Sequence, residues 1–319
     1  MKKTILISTL LILYIIASAF YANYLLKEKK EASYVKLSNQ LKNELNNEKR
    51  FSKDVGIINA ISIAENTNIK KALIDNNRQL AIKALQKIEK DFADKTSIKH
   101  LKIHIHTKET RAFVRSWKLG KFGDDLTGFR KAIVEVRITR EPFFGFEVGR
   151  MGLTLRSIVP VLDNNKLLGT LEFIQNFDKI VKRFKRKEYS YLLLIDKSLL
   201  NIAKYLKDAA KVGPYILSSK KYDTAFLKEA QTIDFVRLKK DGYFVSNKLF
   251  YTYEEIKDTK NAVDGIHLLA MPVENFTREI DANEKNVIKT IAAQTLFLFL
   301  ILGIIGILYL LISSSRNFK

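Results

Sequence analysis

Three of the four histidines fall on one short stretch, KHLKIHIHT, at His100, His104 and His106. On a strand these even-numbered positions share a face, because side chains alternate. A His-x-His pair there is a workable chelate for zinc or copper. A closed site needs a third and a fourth ligand, and the chain has no Cys to supply them. The expectation is therefore partly exposed strand histidines, with no metal and no cofactor. Asp124 and Asp125 are adjacent, so they cannot flank a scissile bond as an acid–base pair. The chain has no Walker A loop, His-Glu-x-x-His, Gly-x-Ser-x-Gly or strand-linked Rossmann glycine triplet. Enzymatic chemistry is not expected. Arg115 and Trp117 stand two apart on a second strand-like stretch and face the same side. A guanidinium fork suits a carboxylate, and an indole offers an apolar wall; core packing explains the only Trp equally well.

The elements that must position these residues follow from periodicity. Residues 28–60 read as a long helix, with Tyr34, Leu37, Leu41 and Leu45 at spacings of three and four and no Pro. The helical pattern continues through Ile69–Phe92. At Ile98 the period becomes two: Leu101, Ile103 and Ile105 alternate with Lys102, His104 and His106, as in a half-buried strand. RAFVRSW is a second strand. Asp125 is placed as N-cap of a helix from Leu126 carrying Phe129, Ile133 and Val136 on one face, ending before Pro142. Strands near Leu153–Val161 and Leu167–Phe177 follow, joined through Asp163-Asn164-Asn165. The pattern then resets. Tyr191–Ile195 reads as a strand and Leu199–Ala210 as a helix. Strands are expected near Thr232–Leu238, Gly242–Phe250 and Gly265–Met271. The class is α+β, antiparallel sheets carried on a long N-terminal helix.

Thr4–Leu26 is a run of 23 residues without a charge, and 290–315 is a second uncharged stretch. Both are long enough to cross a bilayer. The first also fits a cleaved signal peptide, with Lys2 and Lys3 before it and Ala17-Ser18-Ala19 within it. Read as two spans, the layout is residues 1–3 cytoplasmic, 4–26 and 290–313 in the membrane, 314–319 cytoplasmic, and 27–287 on the far side. Lys2, Lys3, Arg316 and Lys319 favour cytoplasmic ends. Lys plus Arg number 55 against 34 Asp plus Glu, a net charge of +21. Without the four terminal cations the loop carries +17, an excess that would suggest nucleic acid in a cytoplasmic protein. Outside the inner membrane no nucleic acid is expected; a solvated basic surface or a field for small anions remains. Only Arg316–Lys319 follow the second span, so any signal is expected to leave through the helices to a partner.

Two runs carry a family resemblance. HIHTKETRAFVRSWKLGKFGDDLTGFRKAIVEV and GFEVGRMGLTLRSIVPVLDNNKLLGTLEF, between His104 and Asp178, resemble the double Cache 3 subgroup of PAS-like extracytoplasmic sensor domains. That subgroup occurs in bacterial chemoreceptors and sensor kinases. The order is specific: Arg-Ser-Trp, Gly-Asp-Asp-Leu with an Arg five residues beyond the second Asp, Glu-x-Gly-Arg-x-Gly, then Gly-Thr-Leu-Glu-Phe. TYEEIKDTKNAVDGIHLLA is similar to the closing hairpin of a membrane-proximal module. The resemblance implies long helices over 27–97, a distal module over 98–182 and a proximal one over 183–280.

It also implies a small-molecule site on the distal module at His106, Arg115, Trp117, Asp124, Asp125, Arg130, Glu147, Arg150 and Arg156. Plainer roles stand beside these. Asp125 caps a helix, Asp124 is a turn acceptor, Arg150 pairs with Glu147, and Arg130 lies on a wet helix face. The implied function is a two-pass inner-membrane sensor of a carboxylate or amino-acid-like ligand in chemotaxis or two-component signalling. It would report to a homodimer partner, a separate chemoreceptor or a histidine kinase. The alternatives are a structural envelope protein of the polysaccharide chain-length-regulator type, mainly helical outside the membrane, and the sensory half of a split receptor.

Overall fold

The computed structural model describes residues 2–96, 101–175, 177 and 179–316. His100, Asp178 and the tail residues 317–319 lie outside the described residues. Two compact units result: one of residues 1–37 with 272–319, the other of residues 38–271.

The first unit is helical. Helix α1 runs from Lys2 to Ala64 and contributes its N-terminal part; α8, Glu274–Arg316, contributes the rest. No Pro interrupts α1, so the ladder of backbone bonds continues from the apolar run into the charged one. Tyr34 meets the Phe276 ring edge-on within this unit, 6.2 Å between centroids. Two spans are expected from the sequence. Among the described residues one helix is long and apolar enough to cross a membrane, Glu274–Leu308, with a mean hydropathy of 2.5 over its most apolar window.

The second unit contains two antiparallel sheets. After α1 come α2 (Thr67–Ile74) and α3 (Arg78–Lys95), capped by Asn66 and Asn77, whose side-chain oxygens accept the first free amides. The first sheet follows: β1 (Lys102–Thr107), β2 (Ala112–Arg115), then α4 (Lys131–Thr139), β3 (Phe143–Gly149), β4 (Gly152–Asp163) and β5 (Lys166–Gln175). Its order is β2-β1-β5-β4-β3. One face is a dry layer: Ile103, Ile105, Val159, Val161, Leu171 and Phe173 pack on Ala60, Ile63, Ile69, Ala81 and Leu85 of the helices. Only a glycine fits at 169, where a Cβ would stand 2.1 Å from the His106 carbonyl oxygen.

Helix α5 (Lys179–Arg186) leads to the second sheet, formed by β6 (Ser190–Asp196), β7 (Lys211–Val212), β8 (Tyr215–Leu217), β9 (Tyr243–Val245), β10 (Leu249–Lys257) and β11 (Val263–Pro272). The order is β7-β8-β6-β11-β10-β9. Leu192, Leu194, Tyr215, Tyr251 and Leu268 pack under α6 (Thr224–Ala230) and α7 (Phe235–Asp241). The eleven strands among the described residues argue against a mainly helical loop.

Three local expectations are corrected. The helix expected from Leu126 begins at Lys131, because the Asp125 carboxylate instead accepts from the Thr127 amide (2.9 Å) and hydroxyl (2.7 Å) in a tight turn. The strand expected near Thr232–Leu238 is α7: Asp234 caps its first amides and Gly242 ends it at φ 77°. The helix expected over Leu199–Ala210 is two short 3-10 turns, Lys197–Asn201 and Lys204–Leu206.

Candidate functional site

The face of the first sheet turned away from the helical layer carries charge. His104 lies opposite both Glu172 and Arg115, His106 opposite Thr170, Glu147 opposite Thr154, and Gly145 opposite Arg156. Strand pairing thus brings side chains from β1 to β5 onto one surface. Asp124, Leu126, Arg130 and the start of α4 lie against it, while Leu119 and Phe122 of the same segment turn to the helical layer and Arg78. Beside the polar set, Ala112, Leu126, Ala132, Ile133, Val136 and Ile158 form a small apolar core.

Two carboxylates and two guanidiniums form the centre. Arg130 donates from Nε to Glu147 Oε2 (2.8 Å) and from Nη2 to Glu172 Oε1 (2.6 Å). Arg156 donates to Glu172 Oε1, and its Nε stands 3.7 Å from Glu147. Glu147 also accepts the Ala132 amide at 2.9 Å, which caps α4 where Arg130 offers no capping side chain. All four residues are buried. Burial alone would raise the Glu172 pKa, yet Arg130 and Arg156 hold it well below the usual carboxylate range. Burial pulls Arg156 down, helped by Arg130. Arg130 is held above its ordinary value, since Glu147 and Glu172 outweigh its burial.

Next to Glu172 lie the imidazoles. His104 Nδ1 is 3.3 Å from Glu172 Oε2, and His106 Nδ1 is 2.9 Å from Thr170 Oγ1. Their rings meet edge-on at 4.0 Å. The expectation of partly exposed histidines is corrected: His104 is 2% exposed and His106 fully buried. Burial lowers His104 to about 4 and, with His104 beside it, holds His106 well below the usual imidazole range. Neither Nε2 has a hydrogen-bond partner among the described residues, nor does Arg156 Nε. Such orphaned polar atoms are uncommon in folded proteins.

At the edge of this face Arg115 grips Asp124 with both terminal nitrogens (2.7 and 2.8 Å) and donates to the Lys121 carbonyl. Asp124 is thus an ion-pair partner and not a simple turn acceptor; Arg115 depresses its pKa.

Of the nine sequence-derived residues, His106, Arg115, Asp124, Arg130, Glu147 and Arg156 converge here. Three do not. Asp125 is exposed in its turn. Arg150 is exposed, with its guanidinium 5.9 Å from the Phe129 ring and not on Glu147, whose oxygens are taken by Arg130 and Ala132. Trp117 is 43% exposed, its ring meeting the His104 ring edge-on with 5.8 Å between centroids, which is neither a core position nor an enclosed wall. Arg130 is buried, not on a wet face, because it precedes α4 and turns inward to two carboxylates. Sequence reasoning missed Thr170 and Glu172, although their alternation with Leu171 and Phe173 marks a polar stripe in a dry strand.

A cavity of about 400 Å³ opens between the two sheets, lined by Phe146, Leu155, Gln175, Tyr191, Ser218 and Lys220 among others. The Leu153 amide donates to Ser218 Oγ beside it, tying the two sheets together.

A family profile described as the double sensory domain of two-component sensor kinase, dCache_3, matches residues 27–277. No curated protein matches the sequence. Among solved structures, the chain is similar to the sensor domain of the V. cholerae histidine kinase DctB. The identity is 12% and the TM-score 0.41, over 75% of this chain and 98% of that one. It is also similar to the ligand-binding domain of the Campylobacter jejuni chemoreceptor Tlp3 in complex with 4-methylisoleucine. There the identity is 12% and the TM-score 0.46, over 77% of this chain and 91% of that one. The sensory domain of Tlp3 with isoleucine bound gives 12% identity and a TM-score of 0.45, over 80% and 97%.

Proposed function

Since the chain belongs to the dCache_3 family of double sensory domains, we propose that it is a membrane-anchored sensor. It binds a small carboxylate or amino-acid-like molecule on the polar face of its first sheet and passes the event to a partner through its terminal helices. The observation that carries this reading is that face itself. It buries two carboxylates, three guanidiniums and two imidazoles, where the opposite face of the same strands is dry. Arg115 and Asp124 are the entry point. A ligand carboxylate takes the place of Asp124 on the Arg115 fork, and the released Asp124 receives an ammonium group if the ligand carries one. Exchange of one carboxylate for another leaves the buried charge unchanged, and the segment from Ser116 to Arg130 is the part that moves.

In this reading Thr4–Leu26 and 290–313 both span the inner membrane, the region between them is extracytoplasmic, and the two sheets are the distal and proximal sensory modules. The output is a second copy, a chemoreceptor or a histidine kinase, and the chain performs no catalysis. The test is a thermal-shift screen of the full chain in detergent against amino acids and small carboxylates. A ligand of the folded state raises the melting temperature by mass action. A shift abolished by Arg115→Ala, in a variant that still melts cooperatively, supports the reading. No shift with any compound, or a shift indifferent to Arg115→Ala, refutes this site.

A further inference from the structure

We propose that the polar face holds a divalent metal ion of the zinc type, ligated by His104, His106 and Glu172 with a fourth position open. The sequence suggested a His-x-His chelate but supplied no further ligand; the pairing of β1 with β5 provides one. Glu172 stands directly across from His104 in the register, and the three side chains offer donor atoms that all lie within 4.8 Å of one another. Glu172 Oε2 is 3.3 Å from His104 Nδ1 and 3.7 Å from His106 Nε2. Tetrahedral zinc with bonds of about 2.0–2.1 Å sets its donors about 3.4 Å apart, so these two edges need little adjustment.

Both imidazoles are buried and face the same carboxylate oxygen. His106 carries the orienting contact expected of a metal-bound imidazole. With Nδ1 donating to Thr170 Oγ1, its Nε2 lone pair is directed inward and meets no protein donor. Glu172 is held from behind, its Oε1 bonded to Arg130 and Arg156 while Oε2 faces the imidazoles. Two nitrogens, one carboxylate and no thiolate suit zinc over softer-ligand metals. The two carboxylates and two guanidiniums nearby already balance, so the ion leaves the centre positive. Its fourth position therefore takes an anionic donor.

The inference shares the sheet face with the proposed sensor but does not depend on its organic ligand. The full chain, purified without a histidine tag and stripped with chelator, is dialysed against zinc chloride and its metal counted by mass spectrometry. Cobalt(II) is added to a second sample and its visible absorption recorded. The expected result is one zinc per chain, a raised melting temperature with zinc, and the intense visible bands of four-coordinate cobalt. His106→Gln should abolish both metal signals. Thr170→Val removes no ligand and should weaken zinc binding by about 10- to 100-fold by freeing the His106 ring; it decides the matter if His106→Gln does not fold. Absence of retained zinc and of cobalt bands in the wild-type chain overturns the proposal, as does zinc binding unchanged in both variants. A thermal shift by an amino acid or carboxylate that survives chelator treatment separates the two readings: it leaves the sensor standing without the metal.

Discussion

Glu147→Gln is the sharpest perturbation of the buried network, because it changes charge and hardly any volume. Glu147 accepts from Arg130 and from the Ala132 amide with different oxygens, and it stands 3.7 Å from Arg156. A glutamine has one acceptor oxygen, so its amide group must face either a guanidinium or a backbone N–H. Two guanidiniums are then left with one carboxylate, Glu172. Breaking a buried pair by removing one partner costs about 3–5 kcal/mol, most of it the uncompensated charge. For a unit of this size 1 kcal/mol moves the melting temperature by about 2–4 °C, so a fall of about 6–20 °C is expected. Circular dichroism melts of the full chain in detergent measure it. The double variant Arg130→Met/Glu147→Leu leaves the balanced pair of Arg156 and Glu172, so it should melt above the single variant despite two changes. A loss under about 1 kcal/mol for Glu147→Gln, or a double variant less stable than the single one, would show that water reaches these charges and that the network is not buried.

Gly169→Ala drives a methyl group into the His106 carbonyl oxygen across β1 and β5, and backbone cannot yield as a side chain does. A loss of more than about 3 kcal/mol is expected by thermal melting; an unchanged melt refutes the register. Asp264 is pushed up to about 6 by burial and by Asp258. Its folded-state pKa is raised above the ordinary value, so its ionised form is penalised as pH rises through 6. Asp264→Asn should therefore stabilise by about 1 kcal/mol at pH 7.5, a figure reduced for solvent screening. That gain should vanish near pH 4 and below, where the acid is protonated folded and unfolded; a gain independent of pH refutes it. The native chain has no Cys, so Lys166→Cys, exposed at the start of β5 beside the hairpin turn, provides a unique thiol. A membrane-impermeant maleimide should label it on intact cells; labelling only after lysis refutes the extracytoplasmic placement.

How far the residues announced this arrangement differs from element to element. The helix signal of α1 was plain, since Leu37, Leu41 and Leu45 recur at spacings of four and all three are buried. The strand period of β1 was equally plain, but its meaning was not. Alternation says that a strand has two faces; it does not say that either is wet. Ile103 and Ile105 meet the helices, and His104 and His106 are just as buried on the other face, against Glu172 and Thr170. That burial is a long-range fact absent from the local pattern. Arg130 failed for the same reason: next to Phe129 it reads as surface, and only β3 and β5 supply its two carboxylates. In the second module a strand was expected near Thr232–Leu238, while Asp234 and Gly242 are cap signals at the right distance for the helix that forms. Partner identity across strands, as for His104 and Glu172, depends on register that no single stretch contains.

A buried ion network is poor evidence of stabilisation, since an apolar set of similar volume often serves as well or better. The first sheet demonstrates the apolar solution on its other face, where Val159, Val161, Leu171 and Phe173 pack dry. Stability therefore does not account for Arg130, Glu147, Arg156 and Glu172. What the charges provide is position: Glu172 is fixed from one side by two guanidiniums, and its other oxygen is aimed at two imidazoles whose Nε2 atoms have no partner. In the sensor reading proposed above, fixed carboxylates and orphaned nitrogens are the groups an incoming polar molecule would meet. Membership of the dCache_3 family is the ground for reading this face as the place where a small molecule binds, and the effect of Arg115→Ala on a ligand-induced thermal shift decides it.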